Sequence, residues 1–304
     1  MKNPYKSVER VNTKVIHTLS ENEQIHFVGV KEGSHIPQHF LNHLEATKNY
    51  VVHTYDRAAM GGRAVDMRLT NPITGHPMTG SSSGTAMNVR LYINDVGIGT
   101  DGGGSILAPA MSLNLFGFIC PLIEQDYLKQ FGRCSTDNIL FSPSIGFITR
   151  DFKTLIEVIQ TTLTLPKVEQ DPVVMDETSI VFPDLSDQRQ VLINFLQEML
   201  PKTDILVSLE GPVDVLGMGD TIFGHFDEIT TASQKASGKG LIRVANMVQA
   251  TALCIPACEL GKAKVLICES KPEKISLLLA YVSQIEVIKD EVLERYFSNL
   301  DQYL

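Results

Sequence analysis

Residues 78–110, MTGSSSGTAMNVRLYINDVGIGTDGGGSILAPA, constrain the fold more than any other stretch, because two serine-bearing, glycine-containing turns flank one short strand. Ser81-Ser82-Ser83-Gly84 opens the stretch, and Asp101-Gly102-Gly103-Gly104-Ser105 closes it. Between them a small-residue run suits the start of a helix, and residues 96–100, VGIGT, read as a buried strand feeding the second turn. A helix leading back into that strand brings the two turns close together.

Three glycines before a serine suit a backbone that bends sharply and presents its N–H groups to something close by. Such a turn can form an oxyanion hole from the amides of Gly102, Gly103, Gly104 and Ser105, with Ser105 as nucleophile. A phosphate cradle competes, but the stretch lacks both the Gly-Lys-Ser/Thr ending of a P-loop and the context of a dinucleotide site. On glycines alone, a flexible loop competes equally. Residues 80–84 also satisfy G-x-S-x-G, with Ser82 as a rival nucleophile and His225 as its downstream histidine. That elbow needs a strand directly before it, whereas residues 71–78, NPITGHPM, spell a turn.

A base for Ser105 stands upstream, where residues 25–30, IHFVGV, read as a largely buried strand that delivers Lys31 at its carboxyl end. Lysine acts as a base only when burial or a neighbouring cation lowers its pKa, and ordinary surface placement competes.

Together these residues resemble the amidase signature family, serine hydrolases with a triad of serine, a second serine preceded by a cis peptide, and lysine. TGSSSG at 79–84 resembles the family's G-G-S-S-G-G element, and GTDGGGSILAPA at 99–110 resembles G-T-D-x-G-G-S-I-R-x-P-A. VGVKE at 28–32 resembles the lysine element. The two serines lie 105 − 81 = 24 positions apart, the family register, which selects Ser81 as the bridging serine. Weaker likenesses follow at Asn71-Pro72, at 115–118 (LFGF), 143–150 (PSIGFITR), 252–257 (ALCIPA) and 264–268 (KVLIC).

The resemblance implies a mixed central β-sheet covered by helices on both faces, with catalytic Lys31, Ser81 and Ser105 and oxyanion or substrate contacts from Gly102, Gly103, Gly104 and Ser82. It implies amide hydrolysis through an acyl-enzyme on Ser105, a small amide substrate, no cofactor and a cis bond between Gly80 and Ser81. An amidotransferase subunit or a degenerate acyl-binding scaffold is the alternative, and a homo-oligomer or a partner subunit stays open. Leu107 stands where the family has arginine, so Arg150 or Arg90 is expected to replace it beside Asp101. The spans from Lys31 to Ser81, 50 positions, and from Arg150 to Pro256, 106 positions, are short for the family, so substrate class does not carry over.

At 304 residues and 43% hydrophobic, the chain suits one α/β domain over residues 1–304. A net charge of −9 argues against nonspecific binding to nucleic acid or anionic membranes. The opening MKNPYK lacks a signal-peptide core, no apolar run reaches membrane-span length, and five cysteines suit free thiols, so a cytoplasmic protein is expected. His35, His39 and His43, and the pair Cys254 and Cys258, are weak metal candidates, and no metal is expected.

The remaining chain reads as follows. Residues 1–24 form a polar lead, with an alternation over 11–16 too brief to assign. Residues 37–46 read as helix, 50–54 as strand, 151–162 as helix, 179–182 as strand and 204–209 as strand. Ser186 suits an N-cap for a helix over 187–200 whose stripe is Val191, Leu192, Phe195 and Met199. Residues 217–237 read as a mobile loop and 241–249 as helix, followed by two strands and helices over 272–285 and 289–300.

Overall fold

The computed structural model describes residues 3–15, 25–47, 49–288 and 290–302. The opening residues 1–2, positions 16–24 of the polar lead and residue 289, where the last helix was expected to begin, lie outside them.

Fourteen strands are numbered along the described chain: β1 Val8–Val11, β2 His26–Lys31, β3 Tyr50–Asp56, β4 Val65–Thr70, β5 Pro77–Thr79, β6 Val96–Asp101 and β7 Phe116–Cys120. After them come β8 Arg133–Cys134, β9 Leu140–Phe141, β10 Ser144–Thr149, β11 Val174–Met175, β12 Ile205–Glu210, β13 Ala250–Pro256 and β14 Ala263–Glu269. Ten of them form one sheet in the order β1-β3-β2-β6-β10-β7-β13-β14-β12-β11, while β4–β5 and β8–β9 make two small ribbons. β2 runs parallel to both β3 and β6, β11 runs parallel to β12, and the other neighbours are antiparallel. This is the mixed sheet expected above.

Side chains alternate across a strand, so each sheet face receives its own apolar set. In β13, Ala252 and Cys254 enter one core with Met87, Met111, Leu192 and Leu196, from the helices Ser83–Arg90, Leu107–Ser112 and Arg189–Met199. Leu253 and Ile255 enter the other with Phe40, Leu155, Val158 and Leu278, from the helices Gln38–Ala46, Phe152–Thr162 and Pro272–Val282. Helices therefore cover both faces. Among the described residues no helix is long and apolar enough to cross a membrane.

The parallel pairing of β2 with β6, in the register Val28 to Val96 and Val30 to Ile98, makes both strands end at the same edge. Lys31 closes one strand and Asp101 the other. The carboxyl ends of adjacent parallel strands are where α/β sheets gather their chemistry.

Several local expectations are corrected. Residues 179–182 form no strand: Asp176 accepts from Thr178 N, 3.0 Å, and Thr178 Oγ1, 2.6 Å, which curls the chain into turns and leaves Val181 exposed. The cap at Ser186 is absent because Asp184 holds its amide at 2.9 Å in a preceding turn, and the helix begins at Arg189 after Gln188. Its buried stripe shifts accordingly to Leu192, Ile193 and Leu196, with Val191 at the surface. Residues 217–237 hold the helix Glu228–Lys235, entered through a capping box in which Asp227 and Thr230 satisfy each other's backbone N–H groups. Only Leu241–Arg243 of the helix expected over 241–249 forms, as a 3-10 turn, and the run closes at Gln249 with φ +54°. The last helix runs Glu291–Ser298, capped by Asp290.

Asp56, at the end of β3, is fully buried. Its Oδ1 accepts from Thr54 Oγ1 at 2.6 Å and Asn88 Nδ2 at 2.5 Å, while Oδ2 has no partner among the described residues. Burial outweighs both hydrogen bonds and pushes the carboxyl up to about 7. A carboxyl held above its unfolded value near 4 contributes stability that is complete below about pH 4 and is lost as pH rises through about 7. Thermal melts across pH 4 to 9 are therefore expected to show a fall in Tm that Asp56→Asn removes in the region near 7; an unchanged slope in the variant would refute this assignment.

Candidate active site

The strand β2 ends in a lysine whose side chain is only 8% exposed. Its Nζ donates to Ser81 Oγ at 2.7 Å and to the Thr100 carbonyl at 3.3 Å. Burial lowers the Lys31 pKa to about 8; the Asp101 carboxylate works against that shift and the Arg133 charge adds to it. The surface placement that competed for this lysine is thus excluded.

Ser81 and Ser105 line one cavity of about 310 Å³ together with Gly102, Gly103 and Gly104. Backbone joins the two turns, since Ser82 N donates to the Ser105 carbonyl at 3.3 Å. No hydrogen bond links the Ser81 and Ser105 hydroxyls among the described residues, although both line the same cavity. A larger cavity of about 440 Å³, beside His26, Tyr50 and Glu157, holds no serine or cysteine.

The expected cis bond before Ser81 is not found: Gly211–Pro212 is the cis peptide among the described residues, and Gly80–Ser81 is trans. Gly80 instead takes φ +72°, with its N–H on the Ala64 carbonyl at 2.8 Å. A glycine in the left-handed region turns the chain without the roughly 3–4 kcal/mol of a non-proline cis bond. Ser81 reaches Lys31 all the same.

The arginine substitution is also corrected. Arg150 pairs with Asp95 at 2.5 Å and Arg90 with Glu294 at 2.7 Å, so neither serves Asp101. Leu107 is fully buried in the apolar core. The Asp101 carboxylate is held by backbone instead, Oδ1 by Gly104 N at 2.8 Å and Oδ2 by Ile106 N at 2.6 Å. Burial raises its pKa, against these amides and the charge of Lys31.

This grip also engages one amide of the glycine turn. The Gly104 amide is already committed to Asp101, while those of Gly102, Gly103 and Ser105 donate to no other described residue. Gly104 has φ +92°, a conformation suited to glycine, and lies against the Ile242 carbonyl.

The rival elbow fails on geometry. A short strand, β5, does precede the turn, but the buried Ser82 hydroxyl has no partner among the described residues, and His225 Nδ1 faces the Ile222 carbonyl at 2.7 Å. Ser83 is structural, donating to Asp66 at 2.6 Å. The histidine triplet is spent separately: His39 pairs with Glu124 at 2.7 Å and His35 stacks on Phe131, centroids 3.9 Å apart. Cys254 is buried and Cys258 exposed. Among the described residues no three His, Cys, Asp or Glu side chains cluster to hold a metal ion.

The sequence reading missed further lining of the cavity, Arg133, Phe141, Arg189, Arg243 and Met247, of which Phe141 and Met247 pack against Gly102 and Gly103. It also missed Glu210, buried at the end of β12, whose carboxylate accepts from Gly240, Leu241 and Ile242 N at 3.0, 3.0 and 3.3 Å. That grip fixes the segment behind Gly103 and Gly104. The signal available was an acid ending a buried strand, residues 204–210, DILVSLE.

Residues 56–203 match the family model described as Amidase, a span that contains both serines and leaves Lys31 outside. The chain is 32% identical over 119 residues to "Amidase 1" of Oryza sativa subsp. japonica, a match covering 38% of this chain and 24% of that relative's length. The fold is similar to a crystal structure of an amidase, at 13% identity and TM-score 0.57 over 92% of each chain. It is also similar to one of the subunits of glutamyl-tRNA(Gln) amidotransferase from Thermotoga maritima, at 13% identity and TM-score 0.60, over 90% of this chain and 85% of that one.

In Asp101→Asn one side-chain oxygen becomes an N–H donor, leaving the Gly104 or Ile106 amide facing another donor. Chemical denaturation is expected to show a loss of about 1–3 kcal/mol, and an unaltered midpoint would mean that the turn is held by other contacts.

Proposed function

Because residues 56–203 match the amidase family model, we propose that this chain is a serine hydrolase that cleaves the carbon–nitrogen bond of a small amide through an acyl-enzyme on Ser105. The observation that carries the proposal is the buried Lys31 amine 2.7 Å from Ser81 Oγ, at the edge of the cavity that holds Ser105. With a pKa lowered to about 8, about a tenth of the amine is neutral at pH 7, against roughly one part in three thousand at 10.5. A neutral amine with one N–H on the Thr100 carbonyl keeps its lone pair free to accept the Ser81 proton.

The proposed steps balance as follows. Ser81 passes its proton to Lys31 and takes the proton of Ser105, whose oxygen forms a bond to the amide carbon. The carbonyl π electrons move to oxygen, and the negative charge faces the free amides of Gly102, Gly103 and Ser105. Collapse of this intermediate breaks the carbon–nitrogen bond, and the departing nitrogen takes a proton back through Ser81 from Lys31. Water then repeats the sequence on the ester, freeing the acid and restoring the Ser105 hydroxyl.

A fluorophosphonate probe is expected to label the wild-type protein at one site and to leave Ser105→Ala unlabelled; labelling that survives in Ser105→Ala would refute the nucleophile. Lys31→Ala is expected to slow labelling about 10²–10⁴-fold. The wild-type labelling rate is expected to rise with pH and level off above about 8, because the base works only when deprotonated. A rate flat from pH 6 to 9 would reduce Lys31 to a structural amine.

A further inference from the structure

The cavity that holds Ser81 and Ser105 is rich in cations, although the whole chain carries −9. Arg63, Arg133, Arg189, Lys239 and Arg243 line it, against one acid, Asp220. Two of the five are internally balanced. Arg63 binds Asp220 through two bonds of 2.8 and 2.9 Å, and Lys239 pairs with Asp214 at 2.6 Å.

The other three leave charge or donors unspent. The Arg133 side chain makes no ion pair or hydrogen bond among the described residues, and its guanidinium lies 5.7 Å from the centre of the Phe141 ring. Among the described residues Arg243 hydrogen-bonds to the carbonyls of Leu185, Asp187 and Gly240 and to no carboxylate, although the charges of Glu210, Asp137 and Asp184 act on it from farther off. Burial, and after it the charge of Arg189, brings its pKa down to about 10. Arg189 meets Asp137 through Nη1 at 2.8 Å, but its buried Nε has no partner among the described residues. Arg133 is exposed and keeps its guanidinium open to a ligand, whereas the unsatisfied donor of the half-buried Arg189 is costly to leave unpaired, and planar forks match a carboxylate bidentately.

We propose that the amide cleaved at this site carries a carboxylate at its far end, received by Arg133, Arg189 and Arg243, which line the same cavity as Ser105. The proposal rests on the reading of the cavity as an amidase site and adds the class of substrate. The same surplus disfavours amides with a cationic tail, through like-charge repulsion.

The test separates binding from turnover. Calorimetry on Ser105→Ala protein compares succinamate with butyramide, which has the same chain length with a methyl group in place of the carboxylate. Succinamate is expected to bind at least about tenfold more tightly, with the margin shrinking as salt is raised. Adding Arg133→Gln, at a side chain with no internal bond to lose, is expected to cut that margin to about threefold or less. Equal affinities, no binding of either compound, or a margin that Arg133→Gln leaves intact would overturn the proposal. These outcomes do not depend on turnover, so loss of the carboxylate preference is distinguishable from failure of Ser105 labelling.

Discussion

The contact on which the site depends is a lysine amine withdrawn from water and set against a serine hydroxyl. Removing an ammonium from solvent is costly, and the protein answers that cost with two hydrogen bonds and a shift toward the neutral form. The bond ties together three segments distant in sequence: the end of β2, the first serine turn and the end of β6. Asp101, one residue beyond Thr100, opposes the shift with its carboxylate. The balance between burial and that carboxylate keeps Lys31 near 8.

The second turn is held from two directions. In front, Asp101 spends both oxygens on the amides of Gly104 and Ile106. Behind, the Ile242 carbonyl lies against Gly104 and the Arg243 carbonyl against Gly103, in a segment that Glu210 fixes through three backbone N–H groups. Two buried carboxylates, on β6 and on the distant β12, therefore position one glycine loop. Both are raised in pKa by burial, so both are held by amide dipoles more than by counter-ions. Leu107 fits this arrangement: with the carboxylate of Asp101 satisfied by backbone, the position is free to join the apolar core.

The charge that lines the cavity comes from other parts of the chain. Arg133 comes from the β8–β9 ribbon, Arg189 from the first turn of a helix and Arg243 from the short turn that Glu210 organises. Charge placed on three unconnected elements is concentrated only because all three converge on the mouth of the sheet. The chain's overall acidity conceals that concentration.

The sequence by itself determined the features whose cause is local or repeats along the chain. Apolar runs specified β2 and β6, the glycine and serine turns stood out by composition, and the resemblance to the amidase signature family pointed to β13 and β14 and, through its register, to Ser81 over its two neighbours. Asp151 capping the helix Phe152–Thr162 is local in the same sense. The tertiary structure decided everything that rests on which distant groups meet. The sequence alone made helix of residues 241–249, where Asn246 instead reaches Ser142 O at 2.8 Å and Gln249 reaches the same carbonyl at 3.2 Å. It assigned Arg150 or Arg90 to Asp101, where backbone amides were nearer. The arginine wall left no pattern at all, because long side chains aimed at one cavity from separate elements share no spacing. Periodicity records which face of an element is buried, whereas the partner of a buried charge is fixed only when the sheet closes around it.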